Sequence, residues 1–322
     1  MAQKVVICGA GFLGTYITRA LVSNKTFGSK RIIQLTSRQR PDNLLFKLQP
    51  ELGESQLLAA AADVRKRETL DQAFDGASVV ISLVGIMHGS PTDFEDIQWH
   101  GAENVATSAK KQGAKVVHIS AIGADEFSKI PYARTKALGE KAVREICADS
   151  TIIRPSIIFG PGDGFFARFA TLSKFLPFMP VFGGGQTKFQ PVYVGDVARA
   201  VEIASRVDDP EALSSTNGKV FEAGGPEIFT YEEVMKLVLK YTGRKRSIIS
   251  VPYGVGRMQG MLLEKLPPNL FTLTRDQVEQ LKIDNIVNTS PPADHASFPK
   301  LLEKFEGDSL KGVNEILPKY LH

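Results

Sequence analysis

Residues 4–14 read KVVICGAGFLG, and this stretch decides the fold class. KVVIC (4–8) is a short apolar run typical of a buried strand, and TYITRALVSN (15–24) has the apolar spacing of a helix. The GxGxxG spacing between them is weak evidence alone, but between a strand and a helix it indicates a dinucleotide-binding turn. Such glycines let the backbone approach a pyrophosphate, and the helix amino end offers unpaired N–H donors. The alternative is that they serve only the geometry of the turn. The residues expected to hold the nucleotide are Gly9, Gly11, Phe12, Leu13 and Gly14.

Strand-like and helix-like segments alternate after this turn. The expected strands are 31–37, 56–64, 77–85, 115–120, 150–160 and 219–225. The expected helices are 68–74, a segment from a Thr92–Glu95 capping box to Lys111, a segment opened by Pro131, and most of 192–205. This alternation predicts an α/β fold, a doubly wound parallel Rossmann sheet with right-handed crossovers and a smaller, mostly helical C-terminal cap.

The texture of the sequence divides the chain into two expected domains. From residue 161 the chain is rich in Gly, Pro and Phe and has no clear strand period. A second capping box, Thr230 with Glu233, opens a helix, and short helical stretches follow near 254–265 and 274–283. We expect a dinucleotide-binding domain at 1–160 and 190–225, and a cap for substrate or docking at 161–189 and 226–322.

Composition excludes several classes of protein. The 322 residues are 43% hydrophobic and 23% charged, which is typical of a globular chain and argues against disorder or a disulfide scaffold. Every apolar stretch is interrupted before the ~20 residues that a membrane span needs, so no transmembrane segment is expected. The net charge of +4 comes from interspersed Lys and Arg, so no nucleic-acid partner is expected. Cys8 and Cys147 are expected to be buried reduced thiols, with no metal site. Because the first strand begins by Lys4, no signal or transit peptide is expected within this sequence.

The end of the second expected strand predicts which nucleotide binds. An NAD-specific turn would place an Asp or Glu about 20 residues past the glycines, whereas this chain reads QLTSRQR. Ser37, Arg38 and Arg40 can hydrogen-bond and neutralise a 2′-phosphate, which favours NADP(H) over NAD(H). The alternative is that either arginine is simply surface charge.

Two further strand ends supply expected nucleotide contacts. Asp63 and Val64 follow the third strand and fit the edge of an adenine. Gly85 follows the fourth strand, where it would let the backbone approach the cofactor. Either feature could equally be ordinary loop chemistry.

Tyr132 and Lys136 are the expected acid/base pair of a carbonyl reduction. They are four residues apart on one face of the expected helix, and a nearby ammonium can lower the pKa of a phenol toward working pH. The spacing alone is poor evidence, because Tyr241 and Lys245 repeat it. Position favours Tyr132, which opens the helix after the fifth strand, facing the carboxyl ends of the strands.

Taken in order, these motifs resemble the extended or atypical short-chain dehydrogenase/reductase family over nearly the whole chain. The matching segments are GAGFLG, ADV, HISAIGAD, YARTK, IIRPSIIFGPGD and PVYVGDVARA. HISAIGAD, YARTKALGEK, FGPGDGFFARF, LTRDQVEQLKIDNIV and ILPKYL are similar to one branch of that family. It contains the NADPH-carrying accessory subunit of mitochondrial respiratory complex I and relatives linked to ubiquinone biosynthesis.

The resemblance implies a partner and a location. An inner-membrane protein complex or an anionic membrane surface is the expected partner, and a quinone-like small molecule is a further one. The matrix side of the mitochondrial inner membrane is the expected location, with the bacterial cytoplasm as the alternative. The resemblance also adds Tyr132, Lys136, Val84 and Pro155 to the expected cofactor contacts.

Two departures from the family pattern weaken catalysis more than binding. Cys8 stands where the family has its first glycine, although Gly9 preserves the turn. Ser120 is the expected catalytic hydroxyl, but the family's serine lies nearer to Ile122, where this chain has none. Loss of that donor would remove much of an acid/base contribution worth ~10² to 10⁴ in rate.

Two hypotheses therefore stand. The first is an NADP(H)-holding, catalytically weak subunit that docks through residues 165–182 and the tail 247–322, so that deletion beyond about Thr274 would release it with its nucleotide. The second is an NADP(H)-dependent oxidoreductase or isomerase acting on a quinone precursor or another apolar ring. His88 and His100 are expected to be ordinary histidines. The Phe-rich segment is expected mainly to pack the cap.

Overall fold

A computed structural model describes residues 3–9, 11–24, 26–27, 30–38, 48, 56–263, 272 and 274–322. The strands are β1 (Gln3–Cys8), β2 (Arg31–Ser37), β3 (Leu57–Ala61), β4 (Ala77–Ser82), β5 (Lys115–Ile119), β6 (Thr151–Pro155), β7 (Ile158–Phe159), β8 (Phe178–Phe182), β9 (Lys188–Phe189), β10 (Val192–Tyr193), β11 (Val220–Ala223), β12 (Phe229–Thr230), β13 (Ser247–Val251) and β14 (His295–Ala296).

The helices follow in the same chain order. They are α1 (Phe12–Ser23), α2 (Arg67–Ala73), α3 (Pro91–Phe94), α4 (His100–Lys111), α5 (Pro131–Ile146), α6 (Phe166–Phe175), α7 (Val194–Ala204), α8 (Pro210–Thr216), α9 (Tyr231–Tyr241), α10 (Tyr253–Leu263), α11 (Arg275–Gln280), α12 (Phe298–Glu306) and α13 (Val313–Ile316). A π-helix (Glu95–Trp99) joins α3 to α4, and two 3₁₀ turns cover Gly183–Gly185 and Leu317–Lys319.

Within the described ranges, eight parallel strands form the central sheet in the order β14-β11-β6-β5-β4-β1-β2-β3. The part of this order from β3 through β1 to β6 is the doubly wound Rossmann order, in which the strand sequence reverses beside β1. The predicted doubly wound parallel sheet is confirmed. Apolar side chains bury one face of the sheet against α2, α4 and α5, as the near-continuous apolar strand runs require.

The chain divides into two compact units. Unit 1 contains residues 1–155, 194–223 and 289–309, and unit 2 contains residues 156–193, 224–288 and 310–322. Residues 289–309, expected in the cap, lie in unit 1 because β14 pairs with β11 and α12 packs on α7.

Unit 2 has its own core, which takes up much of the Phe-rich segment. Phe165 makes edge-to-face contacts with Phe166 and with Phe169, and all three pack in this core, as expected. Phe175 and Phe178 are exposed instead. The tail also enters this core through Val313, Ile316, Leu317 and Leu321.

Deletion beyond about Thr274 was expected to remove docking and leave nucleotide binding intact, but it would also damage the fold. It removes a strand of the central sheet in unit 1 and part of the core of unit 2, because β14 pairs with β11 and Val313, Ile316, Leu317 and Leu321 are buried in that core. The loss of packing would destabilise both units.

Two local expectations were wrong. The capping box lies at Ser90 and Asp93, not at Thr92 and Glu95, because Pro91 takes the first helical position, where its fixed φ suits the turn. The expected strand 150–160 is two strands, β6 and β7.

The Thr230–Glu233 capping box is confirmed. Both cysteines are buried free thiols. Within the described part of the chain, no helix combines the length and apolar character that a membrane span needs.

Candidate functional site

The glycine turn between β1 and α1 has the geometry of a nucleotide-binding loop. Gly9 has a φ of +125°, and a Cβ there would lie 2.9 Å from Leu83 Cβ. A Cβ on Gly14 would lie 2.3 Å from the carbonyl oxygen of Gly9, so only glycine allows α1 to start so close to the turn. Gly11 is exposed, and a Cβ there would meet nothing within 4 Å. The first and third glycines therefore fit the fold, whereas the second leaves open space in front of the turn.

Phe12 and Leu13 form the first turn of α1, and both are half-buried. No side chain caps this helix end, since the cap residue is Gly11. The amino end of α1 therefore presents backbone N–H groups where a pyrophosphate would bind.

A cluster of charged side chains lies at the ends of β2 and β3, with Asp93 and Asp96 near its arginines. Ser37 ends β2, and Arg38 is the exposed residue after it. The Arg65 guanidinium donates two hydrogen bonds to the Asp63 carboxylate, from Nη2 to Oδ2 at 2.6 Å and from Nε to Oδ1 at 3.0 Å. These hydrogen bonds are the main reason why the pKa of Asp63 is lowered, and the positive charge of Arg38 makes a smaller contribution. Arg40 lies outside the described residues.

Arg65 is a residue that the sequence analysis missed. Its contact with Asp63 occupies the carboxylate that was expected at the adenine edge. The adjacent Val64 packs on α4: a Cβ on Gly101 would lie 2.8 Å from its Cγ2, and the Asn104 amide donates to its carbonyl oxygen at 2.9 Å. The DVR order, with an arginine two residues after the acid at a strand end, was the available signal.

Lys136 is buried and held by main-chain groups. Its Nζ donates to the carbonyl oxygens of Val84 and Ile119, each at 2.8 Å, and the residue is only 5% exposed. Burial lowers its pKa to about 8, although the charge of Glu140 acts in the opposite direction. A Cβ on Gly85 would lie 3.3 Å from this Nζ, so Gly85 makes room for the ammonium.

Tyr132 shares the first turns of α5 with Lys136, but the pKa of its phenol is raised rather than lowered. Burial raises the pKa of Tyr132 to about 12. The expected lowering by Lys136 is wrong here, because the ammonium turns toward the two carbonyls. The ring of Tyr132 instead packs edge-on against Phe94, with centroids 6.5 Å apart.

Ser120 follows β5 and is buried. Its N–H donates to the Ile153 carbonyl at 2.8 Å, while its Oγ is buried without a hydrogen-bond partner. Ile122 is also buried, and its N–H donates to the Pro155 carbonyl at 3.0 Å. Pro155 thus ends β6 beside the segment that holds Ser120, and no hydroxyl stands at the later position.

A further polar group in the sheet lies close to Lys136. His118 in β5 contacts Ser82 Oγ through Nδ1 at 3.1 Å, and its Nε2 is buried without a partner. Burial lowers the pKa of His118 to about 3, and the Lys136 charge adds to this. His118 is therefore neutral at physiological pH.

Gln98 is the second residue that the sequence analysis missed. It lies in the π-helix, donates from Nε2 to Thr135 Oγ1 at 3.1 Å, and has an Oε1 that is buried without a partner. A Cβ on Gly139 would lie 2.2 Å from the Gln98 carbonyl oxygen, so the π-helix and α5 meet closely. π-helical turns are frequent at functional sites, but no sequence pattern in EDIQW signals one.

His100 and His88 were both expected to be ordinary histidines. His100 stacks on Trp99 and contacts Glu103 Oε2 at 3.3 Å, which is a structural role. His88 is exposed. Among the residues that the structure describes, no three His, Cys, Asp or Glu side chains are grouped to hold a metal ion.

The sheet order, the glycine turn and the Tyr132–Lys136 helix define an α/β protein of the extended short-chain dehydrogenase/reductase type. The chain belongs to the NAD dependent epimerase/dehydratase family, whose model matches residues 5–214.

The chain is similar in sequence to two named proteins and in fold to a solved structure. It is 31% identical to the Arabidopsis thaliana protein named NADH dehydrogenase [ubiquinone] 1 alpha subcomplex subunit 9, mitochondrial, over 88% of this chain and 70% of that one. It is 27% identical to the ceramide reductase of Caulobacter vibrioides over 77% of this chain and 73% of that one. The dTDP-glucose 4,6-dehydratase of Streptomyces venezuelae shares the fold, with a TM-score of 0.70 and 17% identity over 99% of this chain and 96% of that one.

Proposed function

We propose that this protein is an NADP(H)-holding, catalytically weak subunit of a mitochondrial inner-membrane complex of the NADH–ubiquinone oxidoreductase type, on the matrix side. The name of the Arabidopsis thaliana relative supports the complex and the compartment. The nucleotide has a structural task in this proposal: it stabilises unit 1 in the assembled complex.

The observation that carries the proposal is the state of the acid/base pair. Lys136 Nζ donates two of its three N–H groups to the carbonyl oxygens of Val84 and Ile119. The ammonium group therefore has a structural role. Burial alone raises the pKa of Tyr132, and a phenol of high pKa donates its proton poorly near neutral pH. With Ile122 in place of a hydroxyl, proton transfer to a bound carbonyl has little support.

The nucleotide-binding features are better preserved. Gly9, Gly11 and Gly14 retain the tight turn and the free helix end. Arg38 is an exposed cation beside the end of β2, and Arg65 adds a second one fixed by Asp63. A 2′-phosphate prefers such guanidinium groups, which supports NADP(H) over NAD(H).

Unit 2 supplies the surface for docking. After Phe165, Phe166 and Phe169 are assigned to the core, exposed apolar side chains remain on α6, β8, β13 and α10. They are Phe175, Phe178, Ile249, Val255, Met258 and Met261. Contiguous exposed apolar patches mark interaction surfaces, and in this proposal these side chains contact the partner complex.

The test isolates the full-length protein with an affinity tag from its own cells. We expect it to migrate with a large membrane complex on a native gel and to release NADPH on denaturation, with no NADPH oxidation when carbonyl substrates are added. A protein found alone in the soluble fraction and without nucleotide would contradict the proposal.

The ceramide reductase relative favours a second candidate, an NADP(H)-dependent reductase of an apolar carbonyl compound. Tyr132 and Lys136 are both present, and ubiquinone precursors are one substrate class for such an enzyme. A steady NADPH oxidation that needs both an apolar carbonyl substrate and the Tyr132 hydroxyl would favour this candidate over the first.

A further inference from the structure

The acidic segment, residues 90–99, lies beside the arginines at the ends of β2 and β3. It contains the capping box of α3 and the π-helix that leads into α4. Val64 fixes its position from one side, because a Cβ on Gly101 would lie 2.8 Å from Val64 Cγ2 and 3.3 Å from the Asp96 carbonyl oxygen. The acidic segment is therefore packed close to the turn that follows β3.

Two carboxylates of the acidic segment act on these arginines. The pKa of Arg65 is raised, first by its hydrogen bond to Asp63 and further by the charges of Asp96 and Asp93. Hydrogen bonds within the capping box lower the pKa of Asp93, and the charges of Arg65 and Arg38 add to this. Asp63, Asp93 and Asp96 thus lie near the guanidinium groups that would meet a 2′-phosphate.

Contacts on the other side of the acidic segment hold it in place. Phe94 is buried and packs edge-on against Tyr132, with ring centroids 6.5 Å apart. Arg134 Nη2 donates to Glu95 Oε1 at 2.7 Å. The carboxylates that flank Phe94 and Glu95 in the sequence therefore stay near the arginines whether or not a nucleotide is bound.

These fixed charges oppose one feature of NADPH. A phosphate monoester carries close to two negative charges at neutral pH. Its attraction to the guanidinium groups is reduced by repulsion from each nearby carboxylate. NADH lacks the 2′-phosphate, so the repulsion weakens NADPH binding more than NADH binding. The carboxylates therefore lower the preference between the two nucleotides more than nucleotide affinity in general.

We propose that Asp93 and Asp96 are specificity-determining residues that limit the preference of this site for NADP(H) over NAD(H). Arg38 supplies most of the attraction for the 2′-phosphate, because the Arg65 guanidinium is already paired with the Asp63 carboxylate. This inference rests on the proposed function, since it takes NADP(H) as the ligand of the glycine turn.

Calorimetric titration of the full-length protein with NADPH and with NADH measures the ratio of the two dissociation constants. At low ionic strength, Asp93→Asn should raise the preference for NADPH about threefold, and Asp93→Asn with Asp96→Asn about sixfold. The asparagine oxygen can still accept from the N–H and the hydroxyl of Ser90, which lie 2.9 and 2.8 Å from Asp93 Oδ2. The capping box therefore remains, and the melting temperature should stay nearly unchanged.

The matched controls are Glu303→Gln and the pair Glu145→Gln with Glu303→Gln. Both residues are exposed acids of unit 1 outside the glycine turn and the acidic segment. These variants should change the ratio less than about 1.5-fold, because solvent screens distant surface charges. Raising the ionic strength to about 0.5 M should remove most of the effect of Asp93→Asn, since the screening length then falls to a few ångströms.

Several results would overturn the proposal. One is a ratio that is the same in the wild type and the Asp93 variants, and another is an equal change in the control variants. An increase that persists at high ionic strength would also overturn it, because the substitution would then act through the shape of the site. If Asp93→Asn does not fold, Asp96→Asn alone decides: it should raise the ratio about twofold, and no change would overturn the proposal.

The outcome can be separated from that of the proposed function. A protein that holds NADPH in the membrane complex but shows no change in the ratio would overturn the role of the carboxylates alone. A protein whose ratio rises as expected, but which oxidises NADPH rapidly with a carbonyl compound, would overturn the proposed function and leave the carboxylate assignment in place. A wild type that binds neither nucleotide would overturn both.

Discussion

Replacing Lys136 with methionine tests the burial on which the functional proposal depends. The pKa of Lys136 falls from 10.5 to about 8 in the folded protein. At about 1.4 kcal/mol per pKa unit, the charged form costs the folded protein about 3 kcal/mol. Lys136→Met removes this cost but leaves the Val84 and Ile119 carbonyls without their donor, at about 1–3 kcal/mol each. The two effects largely offset each other at neutral pH, so the variant should fold.

The sign of the pH dependence follows from proton binding. Below about pH 8 Lys136 is charged in the folded and the unfolded chain, and the whole cost is present. As the pH rises from 8 toward 10.5, the folded protein releases the proton while the unfolded chain keeps it. The stability of the wild type should therefore rise relative to Lys136→Met, by up to about 3 kcal/mol. The neutral amine keeps two N–H groups, enough for both carbonyls.

The assay is urea unfolding of both proteins between about pH 7 and about pH 10. Fluorescence of Trp99, the single tryptophan, follows unit 1 because it lies in the π-helix next to α4. Subtracting the two curves cancels groups common to both proteins, including Lys115, whose pKa burial also lowers to about 8. The exposed Lys300→Met is the matched control. A wild-type minus variant difference that stays flat across this range would show that Lys136 is not buried as the structure places it.

Four further predictions concern the nucleotide and its chemistry. Arg38→Asp should reverse a wild-type preference for NADPH over NADH, because one charged contact contributes ~1.5–3 kcal/mol; equal affinities of the wild type in a fluorescence titration would refute the assignment. Gly14→Ala should lower both the melting temperature and NADPH affinity, since its Cβ would lie 2.3 Å from the Gly9 carbonyl oxygen. Gly11→Ala should lower NADPH affinity alone, since its Cβ meets nothing in the protein, and a lowered melting temperature in this variant would count against the open space there. Tyr132→Phe should abolish any hydride transfer seen in stopped-flow absorbance and leave NADPH affinity nearly unchanged; full turnover in this variant would exclude the acid/base role.

The amino-acid sequence alone determined the α/β class, the glycine turn and most element positions in unit 1. Those features depend on residues that are close together in the sequence. They are the apolar run 4–8, the glycines at positions where a Cβ would clash, and the helical spacing of apolar residues that follows the glycines. β2 was predicted to the residue at 31–37, because turn and polar residues bound the apolar run on both sides. The Thr230–Glu233 capping box was also predictable, because it depends on two residues only three positions apart.

Tertiary structure alone decided what the site residues do. The spacing of Tyr132 and Lys136 places them on one helix face, but only the folded structure brings the Lys136 ammonium to the carbonyls of Val84 and Ile119 and buries the phenol so that its pKa rises. Likewise, nothing in the linear sequence places β14 next to β11, because strand pairing depends on contacts between residues about 75 positions apart. Burial and long-range contacts set a side chain's pKa and partners, and the order of residues along the chain does not contain them.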